Sequence, residues 1–254
     1  MKKNIQKPSL VSVIMPVYNA GDFLVDAIES ILTQTYRNFE FVIVDDRSTD
    51  GSWTTLQRYA KKDGRIKLFR NPKNLGVSET AKKAICKTHG NYIARMDADD
   101  VSLPKRLFIQ VKYLQKHKST VAIGGQCDVI NHTGAVVGRK RFPTSFEDIY
   151  KYIFTFVPVQ QPTLMIARNR LPKNFEYYRD GMNTAEEVEL FFKLFQHGKV
   201  ENVKETIHQY RIHDSNTSLT NTKTTFFLTL ISRIKAVVRY DYKPTVKGVL
   251  FTFA

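Results

Sequence analysis

The chain contains only two cysteines, Cys86 and Cys127, and they lie far apart without metal-ligand spacing. They read as buried thiols in a reducing compartment. No run approaches the about 20 apolar residues that a membrane-spanning helix needs. The opening Met-Lys-Lys-Asn-Ile-Gln-Lys-Pro is basic but lacks the apolar stretch of a secretory signal, so the expected location is the cytoplasm. Repeats and low-complexity tracts are absent. Acidic residues are scarce too: 24 Asp and Glu stand against 39 Lys and Arg, a net charge of +15. An anionic membrane surface, a nucleic acid, or solvated lysine-rich helix faces would each account for that excess. Nucleic acid is the weakest of the three, because no zinc-finger spacing or aromatic RNA-binding signature appears.

What is present suits a globular α/β protein. At 254 residues and 42% hydrophobic content, the chain can bury one large domain or two closely joined halves. Residues 10 to 97 alternate strand and helix signals, which predicts a mostly parallel sheet. Phe23, Leu24, Ala27, Ile28, Ile31 and Leu32 recur at helical spacing, Ile66–Phe69 reads as a third strand, and Ser78–Thr88 as a helix. Beyond residue 100 a helix is expected over Pro104–His117, strand segments over Val121–Gly125 and Cys127–Ile130, a turn at Thr133-Gly134 and a return over Ala135–Phe142. No flexible linker separates the halves. The expected division is 1–100, 101–219 and a basic amphipathic tail, 220–254.

Three strand ends carry chemistry. Tyr92 to Met96 closes on Asp97, Asp99 and Asp100. Alternate side chains of an extended chain share one side, so Asp97 and Asp99 are expected to point together. Clustered carboxylates are tolerated best around a cation, and hard oxygen ligands suit Mg²⁺ or Mn²⁺ and, with them, a diphosphate. The competing account is an acidic loop leading to a helix capped by Ser102. A second strand, Phe41–Val44, closes on Asp45-Asp46, with Asp50-Gly51 opening the next helix. A third, Val11-Ser-Val-Ile-Met, is stopped by Pro16 and presents Tyr18 and Asn19 at the same rim. Ligands of open α/β sheets bind beyond the carboxyl ends of the strands, so one crevice should collect all three. An aromatic plane, a carboxylate for a base N–H and a metal-binding acid pair fit a nucleotide sugar.

Five segments in order now resemble a known family. Val-Ser-Val-Ile-Met-Pro-Val-Tyr-Asn, Ile-Leu-Thr-Gln-Thr-Tyr, Val-Asp-Asp-Arg-Ser-Thr-Asp-Gly-Ser, Asn-Leu-Gly-Val-Ser and Met-Asp-Ala-Asp-Asp look like an inverting family 2 glycosyltransferase of the bacterial surface-polysaccharide type. The likeness runs from about residue 10 to 107, with weaker echoes to about 219. It implies a GT-A type fold, a single compact domain with a helical C-terminal tail, and a UDP-linked donor with Mn²⁺ or Mg²⁺. The acceptor it implies is a glycan or lipid-linked glycan of a capsule or lipopolysaccharide. By resemblance, Asp99 contacts the metal and Asp97 faces the ribose or the cation's water shell. Asp46, with Asp45 beside it, accepts the base N–H, the Tyr18 ring lies on the base, and Pro16 and Asn19 complete the nucleotide wall. Lys82 stands where relatives often carry Asn, and it or Lys83 is a phosphate contact unless both are solvated.

The resemblance also supplies a base. Thr184-Ala-Glu-Glu-Val-Glu-Leu opens a helix and is similar to the family's Glu-Asp-x-x-Leu element, which assigns general base catalysis to Glu187, a Glu where Asp is usual. Helix N-terminal stabilisation by carboxylates accounts for Glu186 and Glu189. Tyr210-Arg-Ile-His-Asp-Ser-Asn-Thr-Ser218 looks like the family's Tyr-Arg-x-His element, which offers His213 as a metal ligand and Arg211 to the diphosphate. Gln161, before Pro162, resembles an acceptor-side contact. In the tail, residues 222 to 240 form an amphipathic pattern. Phe227, Leu230, Ile231, Ile234, Val237 and Val238 share one face, with Arg233 and Arg239 opposite, either packed on the domain or laid on an anionic bilayer. A dinucleotide oxidoreductase would need a Gly-rich turn that Pro16 to Gly21 lacks. A receiver-like protein leaves the Asp97–Asp100 cluster unexplained. A basic nucleic-acid- or membrane-binding α/β module without transferase activity is the remaining alternative.

Overall fold

The computed structural model describes residues 9–179, 186–213, 222–246 and 248. The basic N-terminus, Thr184 and Ala185, the Glu186 side chain, residues 214–218 of the Tyr210–Ser218 element and most of the final stretch lie outside the described residues. The first half runs β1 (Val11–Val17), α1 (Phe23–Leu32), β2 (Phe39–Asp45), α2 (Ser52–Lys62), β3 (Ile66–Arg70), α3 (Val77–Cys86) and β4 (Tyr92–Arg95). Strands β3, β2, β1 and β4 are parallel neighbours in that order. Their apolar residues alternate between two cores, because successive side chains leave a strand on opposite faces. Val11, Val13, Met15, Phe41 and Ile43 pack with α1 and α2, while Ile14, Val42 and Val44 pack with α3.

The second half extends this sheet in mixed directions. After β5 (Val101–Ser102) come α4 (Arg106–Lys116), β6 (Thr120–Ile130), β7 (Val136–Lys140), α5 (Phe146–Tyr152), β8 (Met165–Ala167), α6 (Glu186–Phe195), β9 (Lys199–Arg211) and α7 (Thr222–Arg239). The full order is β3-β2-β1-β4-β8-β6-β9-β5, with β7 on β6. Strand β8 runs antiparallel to both β4 and β6, and β6 and β9 pair in parallel. The segments expected over 121–125 and 127–130 are one strand, whose register against β9 shifts around Gly124–Cys127. Ser102 does not cap α4: it lies in β5, and its N–H donates to Ser30 Oγ at 3.0 Å. Cys127 is buried, whereas Cys86, expected inside, is exposed at the end of α3.

Two local features open a cleft. The chain winds one way from β1 through β2 to β3 and then returns to the other side with β4, the switch point at which open α/β sheets bind ligands. Strand β4 leaves the ladder early, its last register with β1 being Ile14 against Arg95. Pro16 therefore sits inside β1 without stopping it, still registered with Val44 of β2. Its missing N–H falls where pairing toward β4 has ended and costs no ladder bond.

Helix α7 departs from the expected arrangement. Ser232, Arg233 and Ala236 are buried against the domain, with the Arg233 guanidinium 5.8 Å over the Phe154 ring. Phe226, Phe227, Ile231, Ile234, Val237 and Val238 are exposed instead. Arg233 is thus the inward residue of a helix whose apolar stripe faces out. Among the described residues no helix is long and apolar enough to cross a membrane.

Candidate active site

A cavity of about 1000 Å³ lies at the switch point. One wall follows β1 and β2: Pro16, Tyr18, Asn19 and Asp46 line it, with the Tyr18 ring 52% exposed at the mouth. Asn19, at φ 47°, accepts the Thr49 N–H on Oδ1 at 2.8 Å and donates its own N–H to Ser48 Oγ at 3.0 Å. These bonds fix the turn that presents Tyr18. Asp46 Oδ1 accepts from Asn71 Nδ2 (2.7 Å) and Leu75 N (2.9 Å), and Oδ2 from Gly76 N (2.9 Å). A carboxylate has about four acceptor positions, so one remains. Asp45 does not share this wall. Its carboxylate is fully buried, 2.8 Å from Arg70 Nε, because the next residue along a strand turns to the other face. Lys82 also lies off the wall, paired with Glu79 at 3.3 Å, while Lys83 donates to Asn71 Oδ1 and so braces Asp46 indirectly.

The acidic turn after β4 forms the floor. Asp97 and Asp99 both line the cavity. Asp97 Oδ1 is 2.9 Å from Arg95 Nε, and Asp99 Oδ2 is 3.0 Å from His213 Nε2. Burial, then the Asp100 and Asp97 charges, push the Asp99 carboxyl up to about 6, opposed by His213. A divalent cation beside it would favour the ionised form. Asp99 and His213 supply an oxygen and a nitrogen donor. No group of three His, Cys, Asp or Glu side chains able to hold a metal occurs among the described residues. That donor set fits Mg²⁺ or Mn²⁺, which are held by one or two protein groups together with substrate phosphates and water. It does not fit a closed structural metal centre.

Asp100 and Arg211 serve the turn itself. Asp100 Oδ1 accepts the Arg211 N–H and Oδ2 lies 2.8 Å from His208 Nε2. Arg211, expected at the diphosphate, is buried under the floor. Its Nε donates to the Asp99 carbonyl (2.8 Å), its Nη2 meets Asp26 (3.0 Å), and its guanidinium lies 4.7 Å over the Phe23 ring. The side chain positions Asp99 and does not line the cavity.

Glu187 lines the same cavity from the first turn of α6, as do Gln161 and Pro162. Gln161 Nε2 is buried without a hydrogen-bond partner. Thr225 of α7 also reaches the cavity. Three further residues were not singled out from the sequence. Arg95 sat inside an apolar strand run, where a buried guanidinium two residues before an acid signals a pair. Lys140 lies in the second half and carries no local signal, and Tyr210, although it opens the Tyr-Arg-x-His element, gains no role of its own from it. Arg106, wholly buried, donates from Nη2 to the Arg95 carbonyl at 2.6 Å and props the end of β4, and burial pulls its pKa down to about 10.

A model of glycosyl transferase family 2 matches residues 12–176. The chain belongs to this family. It is 34% identical over 205 residues to the putative glycosyltransferase EpsE of Bacillus subtilis, covering 79% of this chain and 72% of that one. It is 37% identical over 116 residues to the putative teichuronic acid biosynthesis glycosyltransferase TuaG of the same organism, 46% of each. The fold is similar to S. aureus TarS 1-349 in complex with UDP-GlcNAc, with a TM-score of 0.74 over 95% of this chain and 70% of that one at 17% identity. The family 2 match covers Pro16, Tyr18, Asn19, Asp46 and the acidic turn and ends before Glu187, Arg211 and His213, of which Glu187 and His213 line the same cavity.

Glu189 shows what the rest of α6 does. It is no helix-terminus ornament but a buried anchor: Tyr240 Oη donates to it at 2.7 Å and Lys235 of α7 lies at 3.4 Å. Although burial alone would raise its pKa, these donors and Lys193 hold it below the ordinary glutamate value. Its stabilisation is therefore present above the unfolded pKa and lost as pH falls through the lower folded value. Glu189→Gln should lower stability by about 1–3 kcal/mol at pH 7. Urea unfolding should show the gap from wild type narrowing as pH drops below the unfolded value, and a pH-independent gap would count against the anchor.

Proposed function

We propose that this family 2 glycosyltransferase acts with inversion. It moves a hexosyl or N-acetylhexosaminyl group from a UDP-linked donor to a hydroxyl of a glycan or lipid-linked glycan in capsule or lipopolysaccharide synthesis. The observation that carries the reading is that Pro16, Tyr18, Asn19, Asp46, Asp97, Asp99, His213 and Glu187 all line a single cavity. The TuaG and TarS likenesses support the polymer class and the uridine donor. The base would stack on Tyr18 and donate an N–H to the remaining position of Asp46, with Pro16 and Asn19 shaping the turn beside it. Asp97, held by Arg95, would face the ribose. Asp99 and His213 would hold Mn²⁺ or Mg²⁺, which supplies Lewis acidity to the leaving diphosphate. Glu187 takes the acceptor hydroxyl proton as the oxygen attacks the anomeric carbon opposite the diphosphate. The new C–O bond forms as the bond to the diphosphate breaks, and one displacement inverts the centre.

The outward apolar stripe of α7 adds a location. Within a protein of net charge +15, Phe226, Phe227, Ile231, Ile234, Val237 and Val238 form a face suited to an anionic bilayer. Laid there, the peripheral enzyme would bring Thr225 and its cavity close to a lipid-linked acceptor.

Glu187→Gln should cut transfer by about 10²–10⁴-fold while UDP affinity stays within a factor of about two. Near-normal turnover would remove Glu187 from the role of base. In sedimentation with vesicles, binding should need anionic lipid, weaken with salt and fall in an Ile231→Asp/Ile234→Asp variant. Equal recovery with neutral vesicles would contradict the membrane face.

A further inference from the structure

The second half of the chain places one lysine in the cavity. Arg139 and Arg141, on either side of it, reach the other way, to Asp128 at 3.8 and 3.5 Å. The alternation of β7 thus sends Lys140 alone inward. Its ammonium lies 3.8 Å from the centroid of the Tyr210 ring and 3.3 Å from Gln160 Oε1. Burial pulls its pKa below the ordinary lysine value, so the charge is held here at a desolvation cost. The buried Asp100 charge opposes that shift from a distance, but among the described residues no carboxylate lies within salt-bridge reach of the ammonium. The floor acids are matched elsewhere, Asp97 with Arg95 and Asp99 with His213. Lining the same cavity is the Gln161 amide, whose Nε2 is buried without a hydrogen-bond partner. An ammonium offers three donors, of which Gln160 takes one. Lys140 thus keeps N–H donor capacity beyond the bond to Gln160, Gln161 Nε2 has no protein acceptor, and both residues line the same cavity.

We propose that Lys140 and Gln161 form an anion subsite on the acceptor side of the cavity, which takes a phosphate or carboxylate carried by the acceptor. The assignment rests on the glycosyltransferase reading above and names the class of acceptor: a charged glycan, not a neutral one. An acceptor anion would supply the acceptor atoms that both groups lack, in a half-buried place where charge-assisted hydrogen bonds are strong. Tyr210 and Gln160 hold the ammonium in position. The donor diphosphate is provided for separately, on the floor.

The test uses the full chain saturated with UDP and Mn²⁺, so that phosphate-bearing probes cannot occupy the donor floor. Glycerol 1-phosphate and methyl glucuronide are titrated against their neutral counterparts, glycerol and methyl glucoside, by ligand-observed NMR. At least one anionic probe should bind about tenfold more tightly than its neutral partner. The better of the two distinguishes phosphate from carboxylate. Lys140→Gln should abolish that preference with UDP affinity unchanged, and Lys140→Arg should keep it, which separates charge recognition from a folding defect. Equal binding of charged and neutral probes would overturn the subsite. So would a loss of UDP affinity in Lys140→Gln, which would move the lysine to the donor diphosphate. Failure of the wild-type protein to bind UDP with Mn²⁺ would instead overturn the donor reading on which the subsite depends.

Discussion

The buried carboxylate of Asp100 joins the two halves of the site. It is 1% exposed, and its oxygens face the Arg211 N–H and His208 Nε2, both on β9. Burial and the Asp97 charge raise its pKa well above the ordinary carboxylate value, and the Arg211 backbone donor opposes them. Through this contact the acidic turn after β4, made by the first half, is fixed to the last long strand of the second. Two consequences follow along β9. Arg211 turns its guanidinium under the turn and holds the Asp99 carbonyl, and His213, two residues on, meets the Asp99 carboxylate. The proposed metal-holding pair is therefore as well placed as the strand that leads to its imidazole.

A second constraint comes from sheet order. Because the chain reverses direction of winding between β3 and β4, the ends of β1 and β4 diverge, and early loss of their pairing leaves room for a ligand. The early end of β4 releases Asp97 and Asp99 into that space, and the turn after β1 closes its other side with Tyr18. Helix α6 then faces the opening with Glu187 while Glu189, two positions along, turns away to anchor α7. One helix thus joins the Glu187 side of the cavity to the tail that borders it.

Much of the first half was legible because parallel strands buried on both faces are continuous apolar runs, and their ends stand out where acids begin. Phe41–Val44 before Asp45 and Tyr92–Met96 before Asp97 are of that kind. The same local signal could not separate Asp45 from Asp46, since which carboxylate enters the cavity depends on strand phase and on Arg70 across the sheet. Strand β8, three residues long, and β5, two, are fixed by partners far away in sequence and have no period of their own to read. Arg211 and Arg233 show the same limit for charge. Both sequences suit a surface or ligand contact, and both guanidinium groups are inside, accommodated by carbonyls, an acid or an aromatic ring that only the fold brings near. The outward apolar stripe of α7 could be drawn from its periodicity, but which side would meet the domain could not.

In the mechanism we propose, Asp99 and His213, aligned by the Asp100 and Arg211 contacts, hold a divalent cation together with the donor diphosphate. Pulsed electron paramagnetic resonance of Mn²⁺ with UDP and the full chain tests it most directly. Phosphorus coupling from UDP is expected together with nitrogen coupling from the protein. His213→Ala should abolish the nitrogen coupling, and Asp99→Ala should remove the protein-bound manganese signal. A spectrum identical to that of Mn²⁺ and UDP without protein, or nitrogen coupling that persists in His213→Ala, would contradict it.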